Sequence, residues 1–301
     1  MSPVGPPSPV GPPYHAVREA VARALAEDIG PLGDLTAALV PQSATATVAV
    51  VARRPGVLAG TACAAEVFAQ LDEHVRVEWD ATDGDSIVAA QVVGRVTGSL
   101  RAVLTGERSA LNFLCHLSGV ATATRAFVDA AGDRTRVWDT RKTLPGLRAL
   151  EKAAVRAGGG VSHRGSLSDF VLVKDNHLAG LSIAEAVSRA QAMWPGRTVE
   201  VECDRREQVE AAIAAGATMV LLDNMTPSEV RECVALARAT APRGFLVEVS
   251  GGVTLDNVRA YAEAGADLVS TSVITQSAPA LDLAFDLTVD GGSGHGRGTG
   301  G

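Results

Sequence analysis

Two similar stretches of sequence, AAIAAGATMVLLDN at residues 211–224 and AYAEAGADLVSTS at residues 260–272, indicate the fold of this chain. Each is an alanine-rich helical segment that ends at a glycine and is followed at once by an apolar run of strand length. Four further apolar runs, RVWDT, FVLVK, TVEVECD and FLVEVSGG, alternate with helical segments between residues 136 and 252. This alternation predicts parallel strands joined by crossover helices, and a βα barrel is the natural closure.

The sequence before residue 118 has a different texture. Short β-rich runs, VAVVARR, GVLAG, VRVEWD and QVVGRVTG, are separated by glycine and Asp-Gly turns and enclose one helical stretch from Cys63 to Leu71. We expect an N-terminal α+β sandwich-like domain at residues 14–117, completed by residues 281–290, and a barrel domain at residues 118–280. The proline-rich residues 1–13 and glycine-rich residues 291–301 cannot bury apolar surface, which predicts disordered tails.

Bulk composition argues against several classes of protein. The net charge of -7 is wrong for a general nucleic-acid binder, which needs a basic surface. No apolar run reaches the roughly 18 residues of a membrane span, and the start of the chain lacks the apolar core of a signal peptide. The four cysteines are widely spaced with no zinc-ligand pattern, so we expect buried free thiols and a cytoplasmic location.

Charged residues follow the predicted strands, at the end of a βα barrel where catalytic groups gather. Bases follow the first two runs and acids end the next three, a division suited to a ligand with anionic groups and a chelated metal. The residues concerned are Asp139, Arg141 and Lys142, then Lys174 and Asp175, then Glu202 and Asp204, then Asp223 and Asn224, and finally Glu248. Carboxylates on neighbouring strands, here Glu202 and Asp223, suit Mg²⁺, which also takes phosphate oxygens and water.

Residues 141–164 form a local basic cluster in an otherwise acidic chain, with six bases and the single acid Glu151. Because a guanidinium binds carboxylate or phosphate with two parallel hydrogen bonds, Arg141 and Arg164 suit a planar anionic substrate. Arg148, Lys152 and Arg156 recur at helical spacing, and we interpret them as a solvated helix face or a supporting positive field.

A possible anion site follows the fifth predicted strand. Ser250, Gly251 and Gly252 come between that strand and a helix start, where exposed backbone amides would resemble the phosphate sites of other barrels. An ordinary βα turn also contains glycines and stays an alternative.

Eight ordered strings resemble the quinolinate phosphoribosyltransferase family. They are EDIGPLGDLT, GVLAG, GERSALNFLCHLSGVAT, DTRKTLPGLR, EKAAVRAGGGVSHR, KDNH, LLDN and EVSGG, and the resemblance runs from about Glu27 to Ser277. It implies a barrel of the type II phosphoribosyltransferase kind. It also implies transfer of phosphoribose from phosphoribosyl pyrophosphate to quinolinate with Mg²⁺, yielding nicotinate mononucleotide, pyrophosphate and CO₂ in NAD biosynthesis.

The resemblance also implies residue roles. The two carboxylates of quinolinate would be held by Arg141, His163, Arg164 and an Arg108 that reaches in from a neighbouring subunit of a homodimer or of a hexamer of dimers. The catalytic residues would be Lys142, Lys174, Glu202 and Asp223, of which the two acids bind ribose hydroxyls and Mg²⁺. The 5′-phosphate would be held by Ser250, Gly251, Gly252, Thr271 and Ser272.

The chain departs from the family pattern at two places. Thr271-Ser272-Val273 and Gln276 stand where relatives have a V-G-A-like turn and a later histidine, which alters part of the expected phosphate site. The loop after Arg164 is GSLSD rather than LGL-like. A barrel lyase with Lys174 as a Schiff-base amine, and a non-catalytic paralogue associated with molybdate transport, are the competing hypotheses.

Overall fold

The computed structural model describes residues 11–288. Most of the two expected tails, residues 1–10 and 291–301, lies outside the described residues, as do the last residues of the expected segment 281–290. The helices are α1 (Tyr14–Asp28), α2 (Thr61–Leu71), α3 (Leu100–Ala131), α4 (Arg148–Ala157), α5 (Asp175–Leu178), α6 (Ile183–Met193), α7 (Arg206–Ala214), α8 (Pro227–Thr240) and α9 (Val258–Glu263). The strands are β1 (Thr45–Ala52), β2 (Gly56–Val57), β3 (Arg76–Trp79), β4 (Ser86–Ile87), β5 (Val92–Ser99), β6 (Arg136–Trp138), β7 (Val171–Val173), β8 (Val199–Cys203), β9 (Met219–Asp223), β10 (Leu246–Ser250), β11 (Leu268–Ser270) and β12 (Leu283–Thr288).

The chain divides into two compact units. Among the described residues, the first comprises Pro12–Gly119 and residues 280–288, and the second comprises Val120–Pro279. In the first unit, β12, β1, β5 and β3 form an antiparallel sheet in that order. Alternate residues of β1 are buried, as expected of a sheet with one face on a core. Phe68 of α2 stacks on Phe285 of β12 with ring centroids 6.2 Å apart, which packs the helix on the sheet.

The second unit contains six parallel strands in the order β6-β11-β10-β9-β8-β7. All six correspond to the apolar runs predicted from the sequence. Their side chains are largely buried, which accounts for continuous apolar runs in place of alternation. The connecting helices begin at defined signals: Ser182 and Glu185 form a capping box before α6, and Thr226 and Glu229 form one before α8.

An irregular segment closes the barrel between β6 and β7, the two ends of the strand order. Val161 pairs in parallel with Trp138 at the end of β6. The His163 ring then contacts Trp138 edge-on, with centroids 5.0 Å apart, and Phe170 before β7, with centroids 4.9 Å apart. One short bridge to β6 and side-chain packing thus take the place of a continuous hydrogen-bonded ladder between β6 and β7. The predicted α+β domain followed by a βα barrel is confirmed.

Within residues 11–288, no helix is both long enough and apolar enough to cross a bilayer. Three cysteines are buried and the fourth, Cys115, is partly buried, and each is a free thiol.

Candidate active site

A cavity of about 710 Å³ opens at the C-terminal ends of the barrel strands. Ten of the thirteen predicted site residues line it, and all ten belong to the barrel unit. They are Arg141, Lys142, His163, Arg164, Lys174, Glu202, Asp223, Ser250, Gly251 and Gly252. All of them except His163 and Arg164 were predicted from strand ends, and the cavity brings together residues that are more than 100 positions apart in the chain.

Three predicted residues do not line this cavity. Arg108 lies on α3 within the first unit. Thr271 is buried, and its hydroxyl donates a hydrogen bond to the carbonyl of Val253. The carbonyl of Ser272 accepts a bond from the Thr275 hydroxyl, which also donates to the carbonyl of Lys142 at 2.8 Å. The segment after β11 therefore braces the Lys142 backbone, and Ser270 at the end of β11 lines the cavity.

Acidic residues occupy one side of the cavity. Glu202 at the end of β8 forms an ion pair with Lys174, which follows β7. Asp223 ends the next strand, and its Oδ2 accepts a bond from the Asn224 side chain at 2.9 Å. Since these bonds use one oxygen of each carboxylate, the other oxygen is left for a cation or a hydroxyl group.

The loop after β10 depends on glycine. Gly251 and Gly252 have φ of +82° and +63°, in the left-handed region that other residues rarely adopt. A Cβ on Gly251 would lie 2.4 Å from Oδ1 and 2.9 Å from the backbone nitrogen of Asn224, so the loop packs directly against the Asp223-Asn224 turn. Asn224, with φ of +54°, donates its backbone N–H to the carbonyl of Ser250. The predicted anion loop and the acidic strand end are thus one packed unit.

Two buried glutamates lie beneath His163. Its Nε2 is 3.5 Å from a carboxyl oxygen of Glu200 and 3.5 Å from one of Glu248, and both glutamates are fully buried. Burial raises the pKa of Glu200 to about 7, and burial and the neighbouring Glu200 raise the pKa of Glu248 well above its usual range. Burial lowers the pKa of His163 even though Glu248 opposes the shift. The ring is therefore a neutral hydrogen-bonding group at neutral pH.

The cavity holds two arginines whose charges are close enough to interact. Arg164 donates to the carbonyl of Phe170 and lies 5.6 Å over that ring. Burial and the nearby Arg141 lower the pKa of Arg164. The buried Nε of Arg141 has no hydrogen-bond partner among the described residues. Two neighbouring guanidinium groups with an unused donor form a site that an anion would stabilise.

The interpretation of Arg148, Lys152 and Arg156 as a solvated helix face is wrong. Lys152 is only 6% exposed and pairs with the fully buried Asp139, and Arg148 donates to the carbonyls of Arg141 and Gly165 at 3.1 Å. Arg156 is partly buried and donates to Ser162. The spacing correctly predicted one face of a helix, but that face of α4 turns toward the irregular segment of the barrel and its cations bind backbone and side-chain oxygens there.

Several residues at the site were given no role in the prediction. Asp139, Asn224 and Glu248 were noted only as strand-end residues, and the others are Thr140, Leu172, Leu221 and Ser270 in the cavity lining and the buried Glu200. A usable signal existed for the glutamates, since TVEVECD and FLVEVSGG each place an ionisable residue inside an otherwise apolar strand. Glu200 and Glu202 also share one face of β8 by their spacing of two.

This fold and cavity define a βα barrel with arginines and carboxylates lining one cavity, an arrangement that suits a polyanionic ligand. Sequence profiles described as "Quinolinate phosphoribosyl transferase, N-terminal domain" and "Quinolinate phosphoribosyl transferase, C-terminal domain" match residues 34–118 and 120–286. The chain belongs to the quinolinate phosphoribosyltransferase family.

Individual relatives are similar over nearly the whole chain. The nicotinate-nucleotide pyrophosphorylase (carboxylating) of Mycobacterium leprae is 40% identical over 91% of this chain and 98% of its own length. The human protein of the same name is 40% identical over 83% of this chain and 85% of its own length. The solved structure of nicotinate-nucleotide pyrophosphorylase from Francisella tularensis aligns with a TM-score of 0.86 and 36% identity, covering 92% of this chain and 97% of that one.

Proposed function

We propose that this cavity transfers phosphoribose from phosphoribosyl pyrophosphate to the ring nitrogen of quinolinate, with release of pyrophosphate and CO₂. The observation that carries the proposal is that two arginines, Arg141 and Arg164, and two acids, Glu202 and Asp223, line the same cavity. A planar dicarboxylate needs the arginines, and a ribose carrying a metal-bound pyrophosphate needs the acids. The product is nicotinate mononucleotide, a precursor of NAD.

The quinolinate carboxylates would bind to Arg141 and Arg164, with His163 beside Arg164 on the same segment. Arg141 offers its unpaired buried Nε, and the two guanidinium groups gain a counter-charge on binding. His163 adds a neutral hydrogen-bonding group rather than a third charge. Binding is therefore favoured for a ligand with two negative charges in one plane.

The phosphoribosyl group would lie between the acids and the glycine loop. The backbone at Ser250, Gly251 and Gly252 can approach a 5′-phosphate closely because neither glycine carries a side chain. Glu202 and Asp223 supply hard oxygen donors at an open cavity, a set that fits Mg²⁺ with room for water and phosphate oxygens. When bound there, Mg²⁺ would neutralise charge on the departing pyrophosphate.

The reaction needs positioning and charge balance more than a nucleophilic side chain. The ring nitrogen attacks the anomeric carbon as the bond to pyrophosphate breaks, and the ribose acquires oxocarbenium character that Glu202 and Asp223 stabilise. The alkylated ring is then cationic and accepts the electron pair left when the carbon–carbon bond to CO₂ breaks. A proton replaces the lost carboxylate, while Lys142 and Lys174 hold the substrate anions.

We further propose a homodimer, or a hexamer of dimers, in which Arg108 of one subunit completes the quinolinate site of another. A variant carrying Arg108→Ala and a variant carrying Arg141→Ala would each be weakly active alone. When the two variants are mixed and their subunits exchange, activity should be restored, because a hybrid dimer contains one site with both arginines intact. No recovery in verified hybrids would refute the sharing.

The expected location is the reducing cytoplasm, which suits free buried thiols.

The direct experiment is incubation of the protein with quinolinate, phosphoribosyl pyrophosphate and Mg²⁺ while CO₂ and nicotinate mononucleotide are measured. Arg141→Ala should then raise the KM for quinolinate much more than the KM for phosphoribosyl pyrophosphate. Equal effects on both would contradict the assigned role of Arg141. Absence of turnover with quinolinate and with nicotinate would overturn the proposed function.

The two competing hypotheses are less well supported. Lys174 is ion-paired with Glu202, not desolvated in an apolar pocket, and so lacks the environment of a Schiff-base amine. A non-catalytic paralogue would not need the arginines and the acids together, and the relatives at 40% identity are named as pyrophosphorylases.

A further inference from the structure

The chain contains 24 arginines and only three lysines, and the lysines lie close together in the barrel unit. Lys142 and Lys174 line the cavity, whereas Lys152 is buried behind it. Lys152 thus has no direct role in the proposed reaction, and the fold places it where an ammonium must be held without water.

The contacts of Lys152 converge on the backbone of His163. Its ammonium forms an ion pair with Asp139 Oδ1 and donates a hydrogen bond of 2.9 Å to the carbonyl of His163. The same Oδ1 accepts the backbone N–H of His163 at 2.8 Å. Both polar groups of the His163 backbone are therefore bound by one buried ion pair.

This arrangement replaces a missing part of the barrel ladder. Val161 donates to the carbonyl of Val137 and accepts from the N–H of Asp139, as in a parallel strand pair. In a continued ladder, His163 would next donate to the backbone carbonyl of Asp139. It donates to the side chain of Asp139 instead, and His163 and Arg164 line the cavity.

Arg148, one helical turn before Lys152, acts on the same segment. Its guanidinium donates to the carbonyl of Gly165 and to the carbonyl of Arg141, both at 3.1 Å. It therefore joins the two segments that carry Arg141 and Arg164. Lys152 fixes the residue before Arg164, and Arg148 fixes the residue after it.

We propose that Asp139 and Lys152 are positioning residues that set the His163-Arg164 segment in the geometry that binds the planar dicarboxylate. This inference rests on the proposed function and extends it to residues that do not touch the substrate. A partly exposed pair elsewhere in the barrel offers a control with the same hydrogen-bond pattern: Asp267 accepts the backbone N–H of Val247 and pairs with Arg238, which donates to the carbonyl of Phe245. That pair brackets the backbone at the N-terminal end of β10, away from the cavity.

The test compares D139N, K152M and the double variant D139N/K152M. Each single variant leaves one buried charge unpaired and should lower the Tm, whereas the double variant removes both charges and should recover most of that loss. Methionine cannot donate to the His163 carbonyl, so the double variant should still show a KM for quinolinate raised about tenfold or more, the factor that one hydrogen bond of about 1.4 kcal/mol gives. In the same double variant, the KM for phosphoribosyl pyrophosphate should change by less than about twofold, compared with about tenfold for quinolinate.

The control D267N/R238M should leave both KM values unchanged. Hydrogen exchange gives a readout that does not depend on turnover: peptides spanning residues 161–165 should exchange faster in D139N/K152M than in the wild type. A stable double variant with wild-type exchange and a wild-type KM for quinolinate would overturn the inference. So would equal increases in the two KM values. If the wild type itself does not turn over, the proposed function fails, and the exchange data still decide whether this pair holds the segment.

Discussion

Replacement of Gly251 by alanine tests whether the glycine loop and the Asp223-Asn224 turn act as one unit. An alanine at φ of +82° costs about 1–2 kcal/mol for the left-handed conformation. Its Cβ would also lie 2.4 Å from Oδ1 and 2.9 Å from the backbone nitrogen of Asn224. The amide side chain can rotate away, but the backbone nitrogen cannot without moving the turn. Such overpacking adds about 1–3 kcal/mol.

Gly252 is the matched control. It also has a positive φ, +63°, but a Cβ there meets no protein atom within 4 Å, so within the protein Gly252→Ala carries only the conformational cost of about 1–2 kcal/mol. Both glycines line the cavity, so the loss of close approach to a 5′-phosphate is expected in both variants. The difference of about 1–3 kcal/mol corresponds to a factor of about 5 to 150. We expect this factor as a higher KM for phosphoribosyl pyrophosphate in Gly251→Ala than in Gly252→Ala.

The assay is initial-rate kinetics with each substrate varied in turn, with thermal melts of both variants. The KM for quinolinate should change little in either variant, because Arg141 and Arg164 lie in the segments between β6 and β7 and not in the loop after β10. A Gly251→Ala enzyme no worse than Gly252→Ala toward phosphoribosyl pyrophosphate would refute the coupling of the loop to Asn224.

Three further predictions follow from the buried and cavity-lining groups. The folded state keeps a proton on Glu248 that the unfolded state releases, so the free energy of unfolding should fall as pH rises from about 4.5 toward the raised pKa. In urea titrations without substrate, Glu248→Gln should make the free energy of unfolding depend less steeply on pH. An unchanged slope would contradict the raised pKa. Burial raises the pKa of Cys63 and Cys203 to about 12, so both thiols should resist alkylation at pH 8 until the protein is denatured, as measured by mass spectrometry; fast native labelling would show that they are accessible. The double variant Glu202→Gln/Asp223→Asn should bind Mg²⁺ more weakly, which raises the Mg²⁺ concentration for half-maximal rate at least about tenfold. An unaltered Mg²⁺ titration would show that these acids do not bind the metal.

Much of the site followed from the sequence because barrel geometry is regular. Six apolar runs predicted six parallel strands, and the C-terminal ends of such strands meet at one place. The strand-end residues from Arg141 to Gly252 were therefore expected together without knowledge of any contact, whereas the roles of His163 and Arg164 came from the family resemblance. The glycine loop was also predicted, although the reason Gly251 cannot carry a side chain, its contact with Asn224, is visible only in the folded chain.

What the sequence by itself determined is the strand and helix pattern, the end of the barrel that carries the charged groups, and the identities of the arginines and acids there. What only the tertiary structure decided is which charges are buried. Helical spacing placed Arg148 and Lys152 on one face of α4, but spacing contains no information on whether that face meets water or the chain. The gap between β6 and β7 decides this, because its irregular backbone exposes polar groups that the ladder does not satisfy, and buried cations and Asp139 satisfy them.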